Sequence, residues 1–278
     1  MKRTIYLVTI SIITVLVIIL STGIRSGKML GNVLSDGFGW IGNEKHNSKD
    51  NIKEAQTLEA FENVEIDTTA SDIRIVYGDN FSYTYKGEKK LLPNFSVENN
   101  TLKIVENSSS SMDFGFDFDS IKCRTTITIP DGTKLENIKA KSSAGNIDID
   151  DINAENIDIN MSAGNVTLDN VNIKEADLKL SAGNCESSDS YFNSINCDCS
   201  AGNATFTCVS FKEFEANMSA GNIEVESEIP LDDATINADA SMLHINDAHI
   251  KNNHFTQKSA DSPSVKIKCT AGNADLNW

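Results

Sequence analysis

Aromatic side chains make up only 7% of the 278 residues, although 40% of the chain is hydrophobic. A core must therefore be built from aliphatic and small residues. Basic residues are also in short supply, 24 against 40 acidic ones, for a formal charge of −16. Phosphate would be repelled, which argues against a nucleic-acid partner. The excess acid keeps a repetitive chain soluble on its solvated faces. Beyond residue 20 there is no helical apolar pattern. The four histidines, His46, His244, His249 and His254, form no defensible Ser-His-Asp set.

The one long apolar run lies at the start. Lys2 and Arg3 precede Ile5 to Leu20, interrupted only by Thr9, Ser11 and Thr14. A stretch of roughly 17 residues just reaches across a hydrocarbon core, and it is long for the apolar part of a signal peptide. Residues 1–25 are therefore expected to be an uncleaved single-pass helix, with residues 4–20 in the membrane. Arg25 and Lys28 on the far flank weaken the orientation signal. Cleavage after Gly23, releasing a secreted chain, is the alternative, and no adjacent cysteine is there to take a lipid. Both versions place the remaining chain outside the cytoplasm. Residues 26–58, rich in Gly, Asn, Ser and Lys, are expected to be a flexible spacer, with Phe38-Gly39-Trp40-Ile41 a loop inside it.

A repeat dominates the remainder. Ser-Ala-Gly-Asn begins at Ser143, Ser162, Ser181, Ser200 and Ser219, in unbroken steps of 19, and returns as Thr270-Ala271-Gly272-Asn273. When the copies are aligned, the columns sort by chemistry. Four after the serine stand Ile147, Val166, Cys185, Ala204 and Ile223, and six after stand Ile149, Leu168, Ser187, Phe206 and Val225. Five before it stand Ile138, Ile157, Ala176, Ile195 and Phe214. Polar columns alternate with these, as half-buried strands require. The joining segment adds an inward stretch through Ile152, Val171 and Val209, then Ala154, Ile173, Phe192 and Phe211. Such a unit suits one turn of a β-coil that buries its apolar edge by stacking on like turns.

In the Ala-Gly-Asn corner, alanine is expected to turn inward, glycine to take positive φ, and stacked asparagines to form an internal amide ladder. Val64, Ile66, Thr68 and Ala70, then Asp72, Ile73 and Ile75, extend the register upstream, with Ser71-Asp72 in place of Gly-Asn. Leu102–Ile104 and Ile127–Ile129 are candidate strands. Downstream, Ala234 to Ile245 follow after a one-residue slip. Val265, Ile267, Cys269 and Ala271 form the last coil. Residues 59–278 are thus expected to be one all-β domain, a parallel β-solenoid of 19-residue coils.

Val64-Glu65-Ile66, then Ile127-Thr128-Ile129-Pro130-Asp131-Gly132, then the Ser-Ala-Gly-Asn repeats, resemble the bacterial DUF4097 proteins over most of the chain after about residue 59. The resemblance implies an N-terminal membrane segment and a right-handed parallel β-helix-like solenoid. It also implies an adhesin role, itself an analogy from fold, and for some members a link to cell-envelope-stress systems. It supplies no catalytic residues.

The remaining candidates point weakly to chemistry. Asp148, Asp150, Asp169, Glu186, Glu224 and Glu226 are expected to stack on one outward sheet, where like charges cost stability unless lysines or cations intervene. Asp148 and Asp150 are the pair to substitute if the chain acts on polysaccharide. Six cysteines invite a disulfide framework, yet Cys185, Cys197, Cys199 and Cys269 fill columns held elsewhere by small or aliphatic residues. Cys197-Asp198-Cys199 lacks the second ligand pair that zinc needs. Phe114, Phe116 and Phe118 alternate as in a half-buried strand. The sequence therefore nominates no catalytic, cofactor-binding or metal-ligating residue. It describes a non-enzymatic envelope protein whose partner is an unspecified envelope, cell-wall or surface ligand.

Overall fold

Alternating columns become strands with one buried face, and the computed structural model describes them over residues 51–106, 123–259 and 263–278. The expected anchor, most of the spacer, His46, Phe38 to Ile41, and Phe114, Phe116 and Phe118 lie outside the described residues. Among those described, no helix is long and apolar enough to cross a membrane.

The N-terminal elements are β1 (Asn51–Thr57), β2 (Asn63–Thr68), β3 (Asp72–Gly78), β4 (Ser82–Glu88), a 3-10 turn (Lys89–Leu91), β5 (Asn94–Glu98), β6 (Thr101–Val105) and β7 (Arg124–Pro130). The repeats follow as β8 (Lys134–Ser142), β9 (Asn146–Asp150), β10 (Asn153–Ala163), β11 (Asn165–Asp169), β12 (Asn172–Ser188) and β13 (Tyr191–Ser227). The chain ends in β14 (Thr235–Asp239), β15 (Met242–Ile245), β16 (Ala248–His249), β17 (His254–Gln257) and β18 (Ser264–Asn277). β1 falls within residues expected to be spacer. Its backbone pairs antiparallel with β4, so Asn51–Thr57 belong to the sheet.

Stacking follows the 19-residue register. Ile157 pairs with Ile138 on one side and Ala176 on the other; Val166 pairs with Ile147 and Cys185. These columns, and the joining stretch through Ile152, Ile173 and Phe192, are buried in one continuous core. Burying each large aliphatic or aromatic side chain contributes about 1.5–3 kcal/mol. Where the core thins at Cys185, Ser187 and Ala204, Phe206, Phe211 and Phe214 cluster, with rings 5.0 and 5.1 Å apart about Phe214.

At the corner, glycine rather than alanine occupies the tight position. Ala163 and Ala271 are exposed and Ala182 is half-buried, contrary to the inward turn expected of them. A Cβ on Gly183, whose φ is +139°, would lie 1.7 Å from the carbonyl oxygen of Gly164. The asparagine ladder exists, but on the half-exposed rim instead of the interior. Asn165 Nδ2 donates to Asn146 Oδ1 at 3.0 Å, Asn203 Nδ2 to Asn184 Oδ1 at 3.3 Å, and Asn222 Nδ2 to Asn203 Oδ1 at 3.0 Å. Asp72 starts the ladder by accepting from Asn146 Nδ2 at 3.0 Å, which confirms its place as the asparagine equivalent.

The coils do not stack in chain order at either end. β2 lies between β6 and β8, and β3 between β7 and β9, so the first coil in the chain is second in space. Likewise β18 lies between β13 on one side and β14 with β15 on the other. The outermost coils are then covered by antiparallel strands. β4 and β5 pair with β7 and β6, while β17 and β16 pair with β14 and β15. The sheet is mixed rather than purely parallel, because a parallel stack otherwise ends in open edges that must be covered. The downstream slip is larger than one residue. Two residues separate Asp239 from Met242, where four separate their partners Lys268 and Asn273. Under the N-terminal cap Tyr83, Tyr85 and Cys123 form a small second core, with Tyr83 stacked on Phe95 at 3.6 Å.

Candidate functional site

A second corner stands eight residues after each repeat serine. Asp151, Asn170, Asp189 and Cys208 stand there in the left-handed region, with φ of 61°, 51°, 49° and 52°. Asp and Asn tolerate that conformation better than other side-chain-bearing residues. Repeating the turn in successive coils leaves a groove of about 840 Å³ running along the stack. Tyr77, Asp79 and Asp131 line one end and Asp189, Tyr191, Ser210 and Glu228 the other; Asp151, Asn153, Asn170 and Asn172 lie between.

Some of these groups are already satisfied. Asn170 Nδ2 donates to Asp151 Oδ1 at 2.7 Å, and Ser210 Oγ to Glu228 Oε2 at 3.1 Å. Asn153 Nδ2 donates to Tyr77 Oη at 2.9 Å, and that hydroxyl donates to the Thr133 carbonyl at 3.1 Å. Among the described residues, the carboxylates of Asp79, Asp131 and Asp189 and the amide of Asn172 have no such partner. Every charged side chain lining the groove is a carboxylate. Tyr191 occupies the column of Asn153 and Asn172 and is 40% exposed, the one large aromatic so exposed among the described residues. A smaller groove of about 470 Å³ follows the first corner, lined by Ser181, Ser200, Ser219 and Thr270 beside Lys179 and Lys268.

The acidic outward sheet is less concentrated than expected. Arg74, Asp148, Thr167, Glu186 and Thr205 stand side by side, so threonines separate the acids. Asp150 meets Asp169, and Glu224 meets Asp275. Arg74 Nε pairs with Asp150 Oδ2 at 2.7 Å. Partial burial, then the Asp150 charge, raises the Asp148 pKa, with Arg124 and Arg74 opposing. No group of three or more His, Cys, Asp or Glu among the described residues is placed to hold a metal ion. His244 has Nδ1 2.7 Å from Asp275 Oδ1, and its ring centre lies 5.4 Å from that of His249. His254 Nδ1 lies 2.6 Å from Asp239 Oδ1.

Cys185, Cys197, Cys199 and Cys269 are buried in the columns assigned to them. The Cys197 and Cys199 sulfurs are 3.7 Å apart. Contact with the Cys185 thiol, together with burial, pushes the Cys197 pKa well up, and contact with Cys197 and burial do the same for Cys199. Cys208 is only half-buried, and desolvation followed by the charges of Glu226, Asp189 and Glu228 raises its pKa. The thiolate is the reactive form. A maleimide at pH 7 should therefore label the native described domain slowly, at Cys208 alone, and all its cysteines after denaturation. Rapid native labelling at Cys197 or Cys199, read by mass spectrometry, would contradict the buried assignment.

The sequence matches Toastrack DUF4097 over residues 61–240. The chain belongs to that family. Three solved structures similar to this Toastrack chain are a putative adhesin from Bacteroides fragilis, a putative lipid binding protein from Parabacteroides distasonis and a putative cell adhesion protein from Clostridium sporogenes. The first is 15% identical, with 83% of this chain and 98% of that one covered and a TM-score of 0.47. The second is 16% identical over 82% and 98%, with a TM-score of 0.45. The third is 14% identical over 82% and 99%, with a TM-score of 0.39. No curated protein matches the chain.

Sequence reasoning missed the groove. The signal was the Asp151, Asn170, Asp189 column: an Asp or Asn in three successive repeats, just before the buried Ile152, Val171 and Ser190, marks a left-handed corner.

Proposed function

We propose that this Toastrack protein is a non-enzymatic binding module of the cell envelope, tethered through residues 1–25 with its solenoid outside the cytoplasm. The groove at the Asp/Asn corner carries this reading. It is open and lies on a rigid stack, and it retains unpaired polar groups and an exposed tyrosine. The acidic sheet considered for polysaccharide chemistry supports it less, because Asp150 is already held by Arg74. The apolar run of residues 4–20 and its basic flank support the tether.

The test is cosedimentation of the full chain, in mild detergent, with isolated cell wall, paired with protease treatment of intact cells that express it. Saturable wall binding and cleavage of the solenoid by external protease are expected. A chain that is protected in intact cells and ignores the wall would sink the proposal.

A further inference from the structure

The groove's chemistry narrows its ligand, on the premise that the chain is a binding module. We infer that it takes an uncharged or amine-bearing saccharide chain laid along the solenoid axis, with Tyr191 as the stacking platform.

Charge sets the first limit. Asp79, Asp131, Asp151, Asp189 and Glu228 are the charged side chains lining the groove, and no Lys, Arg or His joins them. An anionic polymer would be repelled, the more so by a chain of net charge −16. Desolvation sets the second. An apolar ligand would strip water from Asp79, Asp131, Asp189 and Asn172 and return no hydrogen bonds, which is costly. Sugar hydroxyls can donate to the carboxylates and accept from the amide. The exposed ring of Tyr191 is an independent pointer. In a chain with few aromatics it presents an apolar face and a polar tip to solvent, a combination suited to the C–H face and hydroxyl edge of a pyranose.

Periodicity sets the shape of the ligand. The lining groups recur once per coil, and paired strands rise by about 4.8 Å. From Asp151 to Glu228 the groove spans five coils and so four steps between them, or about 20 Å at that rise. A ligand that meets a hydrogen-bonding side chain at each step is itself a repeating chain. A single divalent ion does not fit, since no metal-holding cluster is formed here.

The full chain in detergent would be titrated with oligomers of chitin, glucosamine and cellulose, a polyuronate oligomer and an oligolysine peptide, read by saturation-transfer NMR and calorimetry. Binding of one of the first three is expected. Tyr191→Ala should weaken it roughly tenfold, with the thermal midpoint unchanged, and Tyr191→Phe should retain it. Asn172→Leu should weaken it as well. The inference is overturned if no saccharide binds, if the polyuronate or oligolysine binds best, or if Tyr191→Ala leaves affinity unchanged. Wall cosedimentation that persists in any of those cases leaves the binding-module reading standing and removes only the ligand assignment.

Discussion

Gly183→Val is expected to destabilise the domain by about 2–6 kcal/mol, the sum of two costs. Holding a β-branched residue in the left-handed region costs about 1–3 kcal/mol. Overpacking a fitted site costs about 1–3 kcal/mol more, and here the obstacle is backbone, because the new Cβ would sit 1.7 Å from the Gly164 carbonyl oxygen. The neighbouring coil cannot absorb the shift cheaply, since the Gly202 position is fitted just as closely against the Gly183 carbonyl. Thermal unfolding followed by circular dichroism should show a midpoint lowered by about 4–24 °C, at about 2–4 °C per kcal/mol for a domain of this size. Ser181→Ala, two residues away and exposed, should stay within about 0.5 kcal/mol of the parent. Equal midpoints for Gly183→Val and the parent would mean that the corner is built differently.

Deleting residues 264–278 should unfold more than the residues removed. β18 fills the slot between β13 and the outer coil of β14 and β15, and Val265, Ile267 and Leu276 pack in its core. Each of those side chains contributes about 1.5–3 kcal/mol. Without them Ile236, Ala238, Leu243 and Ile245 lose the coil they stack on, although their own sequence is untouched. Solenoid coils are stabilised mainly by nearest neighbours, so the loss should stop within the next coil. Hydrogen exchange of the full chain and the deletion should show amide protection lost over residues 231–257 and kept over residues 134–209. Protection of residues 231–257 in the deletion would show that the outer coil docks directly on β13, and the interposed role of β18 would fall.

Much of the middle of this molecule is legible in its sequence. The aliphatic columns at four and six residues after each serine name the buried face, and Gly183 and its equivalents name the corner, because both requirements are local and repeat. Asp72 as an asparagine equivalent is readable for the same reason. The ends are not. Nothing in Val265-Lys266-Ile267 states whether that strand joins the stack beyond residues 235–245 or before them, since every coil offers the same kind of apolar partner. The caps are hidden for a related reason: β1 and β17 are short, and half-buried at most, so they carry little hydrophobic pattern. The groove fails to show because its side chains are polar and exposed, and look like any solvated turn until the turns are stacked.

The displaced coils also bear on how such a molecule can change length. Each end is a fixed assembly in which the chain steps past a slot and a non-adjacent segment fills it, so a repeat cannot be added there without breaking that interlock. Between β8 and the end of β13 there is no such constraint. A further 19 residues would form one more coil, with its own glycine, its own rung of the asparagine ladder and its own Asp or Asn corner. Length is therefore an adjustable property of the interior alone, and each added unit would lengthen the groove by one step while both ends stay as they are.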